Sequence, residues 1–316
     1  MHTASWPAVA EAGQAPRGLG RRERYGRRAV VGVPLLWLVL FFLVPFVIAL
    51  KISFSQPVLA IPPYTPLLQW THAHLPSIRL HLDSYRRLFT DHLYLDSFLY
   101  SVRVAAGSTL CCLLLGYPMA LAIARAPLRR RNLLLMLIIL PFWSSFLLRV
   151  YAWIGLLQDN GVINHLLQLL HLTDHPIPMV NTTFAVYIGI VYSYLPFMVL
   201  PLYANLEKQD PALLEAAADL GARPWRAFWG VTVPLSLPGV MAGVLLVFIP
   251  AVGEYVIPSL LGPANQLMIG RVLSTEFFEN RDWPTASVVA IAMLLVLLVP
   301  IVLLQRYRAA QLSETA

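Results

Sequence analysis

EAAADLGARPWRAFWGVTVPLSLPG, residues 215–239, holds four charged side chains (Glu215, Asp219, Arg223 and Arg226) and three prolines in the middle of a strongly apolar half of its chain. Just upstream, Asp210-Pro211 supplies a helix start, because a proline at the first helical position gives up an N–H that has no partner there anyway. A helix is therefore expected from 211 through PALLEAAADL. Gly221 lets the chain turn, and Arg223-Pro224 opens a second short helix, PWRAFWGVTV, expected to stop before Pro234. The predicted unit is a helix–Gly–helix knuckle. Ala216, Ala217 and Ala218 allow close approach by another protein, while Glu215, Asp219, Arg223 and Arg226 offer polar partners, so the knuckle reads as a docking surface.

The sequence on either side is that of an integral membrane protein. Of the 316 residues, 58% are hydrophobic and 12% charged, and the mean hydropathy is +0.66; soluble domains carry roughly a quarter charged residues. Six apolar stretches, 29–51, 98–124, 133–157, 182–204, 236–262 and 286–305, are each long enough to cross a hydrocarbon core of about 30 Å as a helix. The expected fold is all-α with six transmembrane helices. Lys and Arg outside these spans concentrate on alternate segments: six in the amino-terminal tail, four in 125–132, three in 205–235 and two in the carboxyl tail, against five in all the others. By the positive-inside rule, both termini and the knuckle are cytoplasmic. The same distribution accounts for the net charge of +7 without nucleic acid, since the basic residues flank apolar spans and form no aromatic-interleaved patch.

The domain plan is then a disordered basic tail (1–28), a first span (29–51), an extracytoplasmic loop (52–97), a five-helix core (98–305) containing the knuckle segment 205–235, and a cytoplasmic tail (306–316). The first span exceeds the 7–15 apolar residues of a secretory signal and is expected to stay as an uncleaved anchor. Within the loops, GVINHLLQLLHL (161–172) has the apolar stripe of a short interfacial helix. Gly116 and Pro118, Pro141, Pro196 and Pro201, and Pro250 and Pro258 interrupt the second to fifth spans. Such breakers are tolerated where neighbouring helices or a cavity satisfy the freed carbonyls, which suits a bundle that moves or lines a path.

Charged residues inside spans cost about 2.5–3.5 kcal/mol at the centre, so Arg103, Arg149 and Glu254 each need a reason. Glu254, between Gly253 and Tyr255 and close to Pro258, has two roles open to it: facing a cavity where it would attract a dication, or pairing with Arg103 or Arg149. Arg149 is near enough to a helix end to anchor or pair, with a place on the path as its second role. Trp143, Tyr151, Trp153, Tyr187, Tyr192 and Tyr194 are suited either to holding ammonium groups through their ring faces or to interfacial belts. Glu276, Glu279 and Asp282, in the last outer loop, could meet a delivering protein, form a cation entry, or be solvated. No catalytic residues are expected. The chain has no G-x-x-x-x-G-K-[ST] and no H-E-x-x-H, a serine nucleophile lacks its G-x-S-x-G setting, and His72 and His74 have no third ligand at metal spacing. Cys111 and Cys112 are adjacent and give no disulfide framework.

The knuckle resembles a known signature. Glu215-Ala216-Ala217, three residues, Gly221, nine residues, Val231, one residue, Val233 and Pro234 is similar to the loop that marks ATP-binding-cassette importer permeases of type I, with Val in place of the usual Ile and Leu. AIPPYTPL (60–67), LPFWSSFLLRVYAW (140–153), IPAVGEYVIPSLLGP (249–263) and MIGRVLSTEFFENRDWP (268–284) resemble the putrescine- and spermidine-type permeases. The resemblance implies that Glu215, Ala216, Ala217, Asp219, Gly221, Arg223 and Pro234 belong to a coupling helix. It implies further a second permease subunit, two cytoplasmic ATPase subunits carrying ATP and Mg, an extracytoplasmic solute-binding protein, a polyamine substrate with putrescine first, and a place in the bacterial inner membrane. The substrate path would include Glu254, Tyr255, Trp143, Tyr151, Tyr194 and Arg149, with Glu276 and Asp282 in the outer loop and no cofactor on this chain.

Overall fold

A computed structural model of the chain describes residues 21–70, 76–78 and 80–314. It divides into two units, one ending at Lys51 and the other beginning at Ile52. In the first, α1 (Arg21–Leu38) passes through a π-turn, Val39–Leu43, into α2 (Val44–Ser53). Arg21 to Arg28, expected in an unstructured tail, thus lie in α1. Residues 1–20 of that tail, and His72 and His74, fall outside the described residues. The π-turn has a local cause: Pro45 would press its ring on the carbonyl four residues back, and the wider turn around Phe41 makes room.

The second unit starts with a ribbon of β1 (Leu68–Trp70) and antiparallel β2 (Pro76–Ile78), Leu68 lying opposite Ile78. Apart from it and one bridge between Pro57 and Tyr64, the regular structure of the described residues is helical. There follow α3 (Asp83–Thr90), α4 (His92–Arg125), α5 (Leu128–Ile139), a 3-10 turn at Leu140–Trp143, α6 (Phe146–Leu157) and α7 (Val162–Leu169). Next come α8 (Thr183–Leu206), α9 (Ala212–Asp219), α10 (Pro224–Ala227), a π-turn at Phe228–Thr232 and α11 (Val233–Val252). The chain ends with α12 (Val256–Leu261), α13 (Ile269–Ser274), a third π-turn at Thr275–Glu279 and α14 (Trp283–Glu314).

The core of this unit is the packing of α4, α8 and α11. Gly107 and Gly116 on α4 face Tyr187 and Met198 on α8 in the same order, and Gly239 and Gly243 on α11 face Asn205 and Met198 in reverse order, so α4 and α8 run parallel and α11 antiparallel to them. Contact is close because the residues are small: a Cβ on Gly243 would stand 2.6 Å from the Met198 sulfur. In lipid, where apolar side chains gain nothing by leaving the solvent, this van der Waals fit is what holds helices together.

Five helices are long and apolar enough to cross a membrane, or six when the bent pair on either side of Ser144–Ser145 counts as one. The expected continuous third span (133–157) is therefore corrected: its two arms meet at 92°. Pro141 cannot donate to a helix, and Ser144 and Ser145 take extended backbone angles, the Ser144 hydroxyl donating to the Pro141 carbonyl at 2.7 Å. The fifth span also differs. Its helical run begins at Pro224 and continues to Val252, where 236–262 was expected, so the second knuckle helix does not end before Pro234 but runs on into the span. Pro234 repeats the geometry of Pro45, with the carbonyl four residues back, Gly230, inside a π-turn.

Candidate functional site

At the knuckle, the Asp210 carboxylate accepts from the Ala212 N–H at 2.9 Å and so starts α9. Gly221 ends it with φ of +79°, the left-handed region where a side chain is penalised. The Ala222 N–H reaches back to the Ala217 carbonyl at 3.0 Å and the Gly221 N–H to Ala218 at 2.8 Å, closing the helix end. Glu215, Ala216, Asp219, Arg223 and Pro234 are exposed, and Ala217 is half-buried. Apolar side chains share this surface: Leu220 is 88% and Trp225 70% exposed. Beneath them, Phe228 stacks on Trp225 and meets Tyr117 of α4 edge-on at 5.8 Å. The Ser236 hydroxyl donates to Val233, so it accepts from the Tyr117 hydroxyl at 2.9 Å. The knuckle is thus rooted in α4 as well as in its own two flanking helices.

The second site lies at the break between α11 and α12. A continuous helix would set the Pro258 ring against the Glu254 carbonyl; the chain leaves helical geometry at Gly253–Tyr255 instead. Glu254 turns its side chain to the new helix, one oxygen accepting from the N–H of Val256 at 3.1 Å and of Ile257 at 3.4 Å. The Tyr194 hydroxyl donates to the other oxygen. The residue is 8% exposed. Gly270 backs the break, where an added Cβ would collide with the Gly253 carbonyl. Gly270→Ala is expected to lower stability by about 1–3 kcal/mol, read as a fall in the melting temperature of the purified protein; an unchanged melting temperature would show that the break can yield.

Tyr194 connects Glu254 to Arg149 through two residues not singled out from the sequence. Its ring lies 6.1 Å from Phe197, Phe197 meets Phe142 edge-on at 5.4 Å, and the Arg149 guanidinium stands 5.1 Å over Phe142 and 5.7 Å over Phe146. Helical spacing links Tyr194 to Phe197 in the sequence, but the contact to Phe142 crosses between elements and leaves no local signal. The Arg149 Nε and Nη1 have no hydrogen-bond partner. Among the described residues the ion pairs are Arg87–Asp282 and Arg131–Glu207, and of the two roles open to Glu254, pairing with Arg103 or Arg149 is not the one its side chain adopts. Arg103 is exposed, its carbonyl accepting from the Tyr187 hydroxyl. Trp143 is 76% exposed, and Tyr151 and Tyr255 are exposed as well. Trp153 packs edge-on against Tyr192 at 5.4 Å.

Glu276 and Asp282 line a pocket of about 610 Å³ with Tyr94, Arg87 and the segment from Pro57 to Ile61. Both are engaged. Glu276 accepts from the Tyr94 hydroxyl at 2.9 Å and from Asn280 at 3.0 Å, while Asp282 pairs with Arg87 at 3.4 Å and accepts from the Thr285 N–H at the start of α14. No group of three metal-ligating side chains occurs among the described residues.

A family model described as "Binding-protein-dependent transport system inner membrane component" matches residues 113–312. The spermidine/putrescine transport system permease protein PotB of Escherichia coli (strain K12) is 40% identical over 276 residues, covering 87% of this chain and 94% of that protein. The protein of the same name from Haemophilus influenzae is 37% identical over 286 residues, 90% of this chain and 94% of its own. Among solved structures, a chain of a bacterial alginate ABC transporter in complex with its alginate-bound periplasmic protein superposes with a TM-score of 0.69 at 16% identity, covering 89% of this chain and 93% of that one, a likeness of fold.

Proposed function

Because this chain belongs to the family of binding-protein-dependent transport system inner membrane components, and is a permease subunit of an ABC importer and not an enzyme, we propose that it forms with a second permease the path by which a polyamine, putrescine first, crosses the inner membrane. The observation that carries this reading is Glu254: a buried carboxylate held by two backbone N–H groups and a tyrosine hydroxyl, with no cationic side chain against it among the described residues. With no lysine or arginine paired to it among the described residues, the carboxylate is left for an ammonium group. The relatives named for spermidine and putrescine support the same class of cargo.

In this reading the knuckle, the basic tail 1–28 and the tail 306–316 face the cytoplasm, and the loop 52–97 faces outward. The knuckle seats on one of two ATPase subunits, which hold ATP and Mg, the second serving the other permease; a soluble extracytoplasmic protein delivers the ligand. Closure of the ATPase pair on ATP shifts the knuckle and turns the bundle outward, and hydrolysis resets it. Tyr194 positions the carboxylate, and the row from Phe197 through Phe142 to Arg149 leads away from it; Trp143, Tyr151 and Tyr255 belong to the same path. Selectivity resides largely in the binding protein.

The test is ATP hydrolysis and uptake by the complete importer in proteoliposomes, with its binding protein and putrescine, spermidine or unrelated solutes. Putrescine is expected to stimulate both; stimulation by an unrelated solute alone would sink the polyamine assignment.

A further inference from the structure

We propose that Arg131 and Glu207 form a strut that carries movement of the knuckle into the α5–α6 pair, an inference that rests on the knuckle being the ATPase-docking element. Glu207 directly follows α8 and opens the linker into α9; Arg131 lies in the first turn of α5. The Arg131 Nη1 reaches the Glu207 carboxylate at 2.6 Å, and its Nη2 donates to the Ala124 carbonyl at 2.8 Å, next to the end of α4. One planar guanidinium thereby joins the end of α4, the start of α5 and the root of the knuckle, a geometry that its fixed donor fork suits. The linker is gripped from its other side too, by Gln209, whose side-chain amide donates to the Thr232 carbonyl at 3.3 Å in the π-turn leading to α11.

The strut matters because α5 is only shallowly packed: none of its residues is buried, and Leu135 and Ile138 rest half-buried on the core of α4, α8 and α11. Packing couples α4, α8 and α11 through fully buried residues, whereas α5 meets them through these half-buried apolar side chains, which can slide; the ion pair adds a directional link. Yet α5 leads straight to the bend at Pro141–Ser145, where Phe142 sits between Arg149 and Phe197 beside the tyrosine that holds Glu254. Movement of the linker is passed by the ion pair to α5 and from α5 to the bend. The pair is partly exposed, Arg131 at 19% and Glu207 at 39%, and pairs of that kind add little to folding stability. Its loss should show in coupling more than in assembly.

The test uses the complete importer, both permeases with ATPase subunits and binding protein, in proteoliposomes with putrescine. Arg131→Glu and Glu207→Arg are each expected to lower putrescine moved per ATP hydrolysed by about fivefold, with ATPase subunits still copurifying. The double exchange is expected to restore the ratio to within about twofold of the parent. Unchanged ratios in the single variants, or a double variant as poor as either, overturn the strut. Loss of the ATPase subunits from the single variants also overturns it, since the pair would then be part of the docking surface. Failure of the knuckle reading is separate: it appears as normal ATPase binding by the Gly221→Val variant.

Discussion

Gly221→Val is expected to release the ATPase subunits from the purified permease pair and to cut ATP-driven uptake by about 100-fold, with the apolar helices still assembled. The cause is torsional. Nothing lies within 4 Å of where a Cβ would stand, but φ is +79°, and a β-branched residue held there is strained by about 1–3 kcal/mol. The chain escapes by undoing the turn, which breaks the bonds from Ala222 to Ala217 and from Gly221 to Ala218. The Glu215–Ala217 surface then shifts relative to Trp225 and Trp229, so a partner that docks on both loses one of them. About 2.8 kcal/mol of lost docking energy is a factor of 100 in affinity. Gly221→Asn, which tolerates the left-handed region, should keep most of the function. Copurification and proteoliposome uptake decide the matter, and a valine variant that retains both would show that the knuckle is not the docking element.

Glu254→Gln is expected to lower uptake by about 10- to 100-fold while leaving assembly and melting temperature close to the parent. Glutamine keeps an acceptor oxygen for the Val256 and Ile257 N–H groups and a polar amide for the Tyr194 hydroxyl, so the break between α11 and α12 survives. What is removed is the charge, and a charge-assisted contact to an ammonium group is worth about 1.5–3 kcal/mol. Glu254→Ala separates the two roles, because it loses the helix cap as well and should also melt earlier. If the glutamine variant transports putrescine at the parent rate, Glu254 is a structural cap and no more.

The knuckle was legible because its determinants are local: Asp210-Pro211, Gly221 and Arg223-Pro224 act within a few residues of themselves, and the structure places a helix and a left-handed glycine there. Apolar length likewise revealed the spans. The bend of the third span was not legible, although Pro141 marked a weak point. Its angle depends on Ser144 and Ser145 leaving helical geometry together, the Ser144 hydroxyl substituting for a lost backbone partner. The fifth span was displaced for a related reason: a π-turn let Pro234 ride inside a helix that proline would ordinarily end. At the site, Glu254 was found by its charge in an apolar run, but its company was not. Phe142 meets Phe197 across two elements, and Arg131 meets Glu207 across 76 positions of sequence, pairings that no periodicity records.

The π-turn at Phe228–Thr232 also sets a phase. It puts one surplus residue into a run that is otherwise a single helix from Pro224 to Val252, and one residue of helix is about 100° of rotation. Everything on the knuckle side is therefore turned by that angle relative to where an uninterrupted helix would aim it. The compass bearing of Trp225 and Trp229 against the membrane face of α11 is written in chain length, not in side-chain chemistry. Shortening the turn by a single residue would leave every docking side chain present and point them all toward a different neighbour.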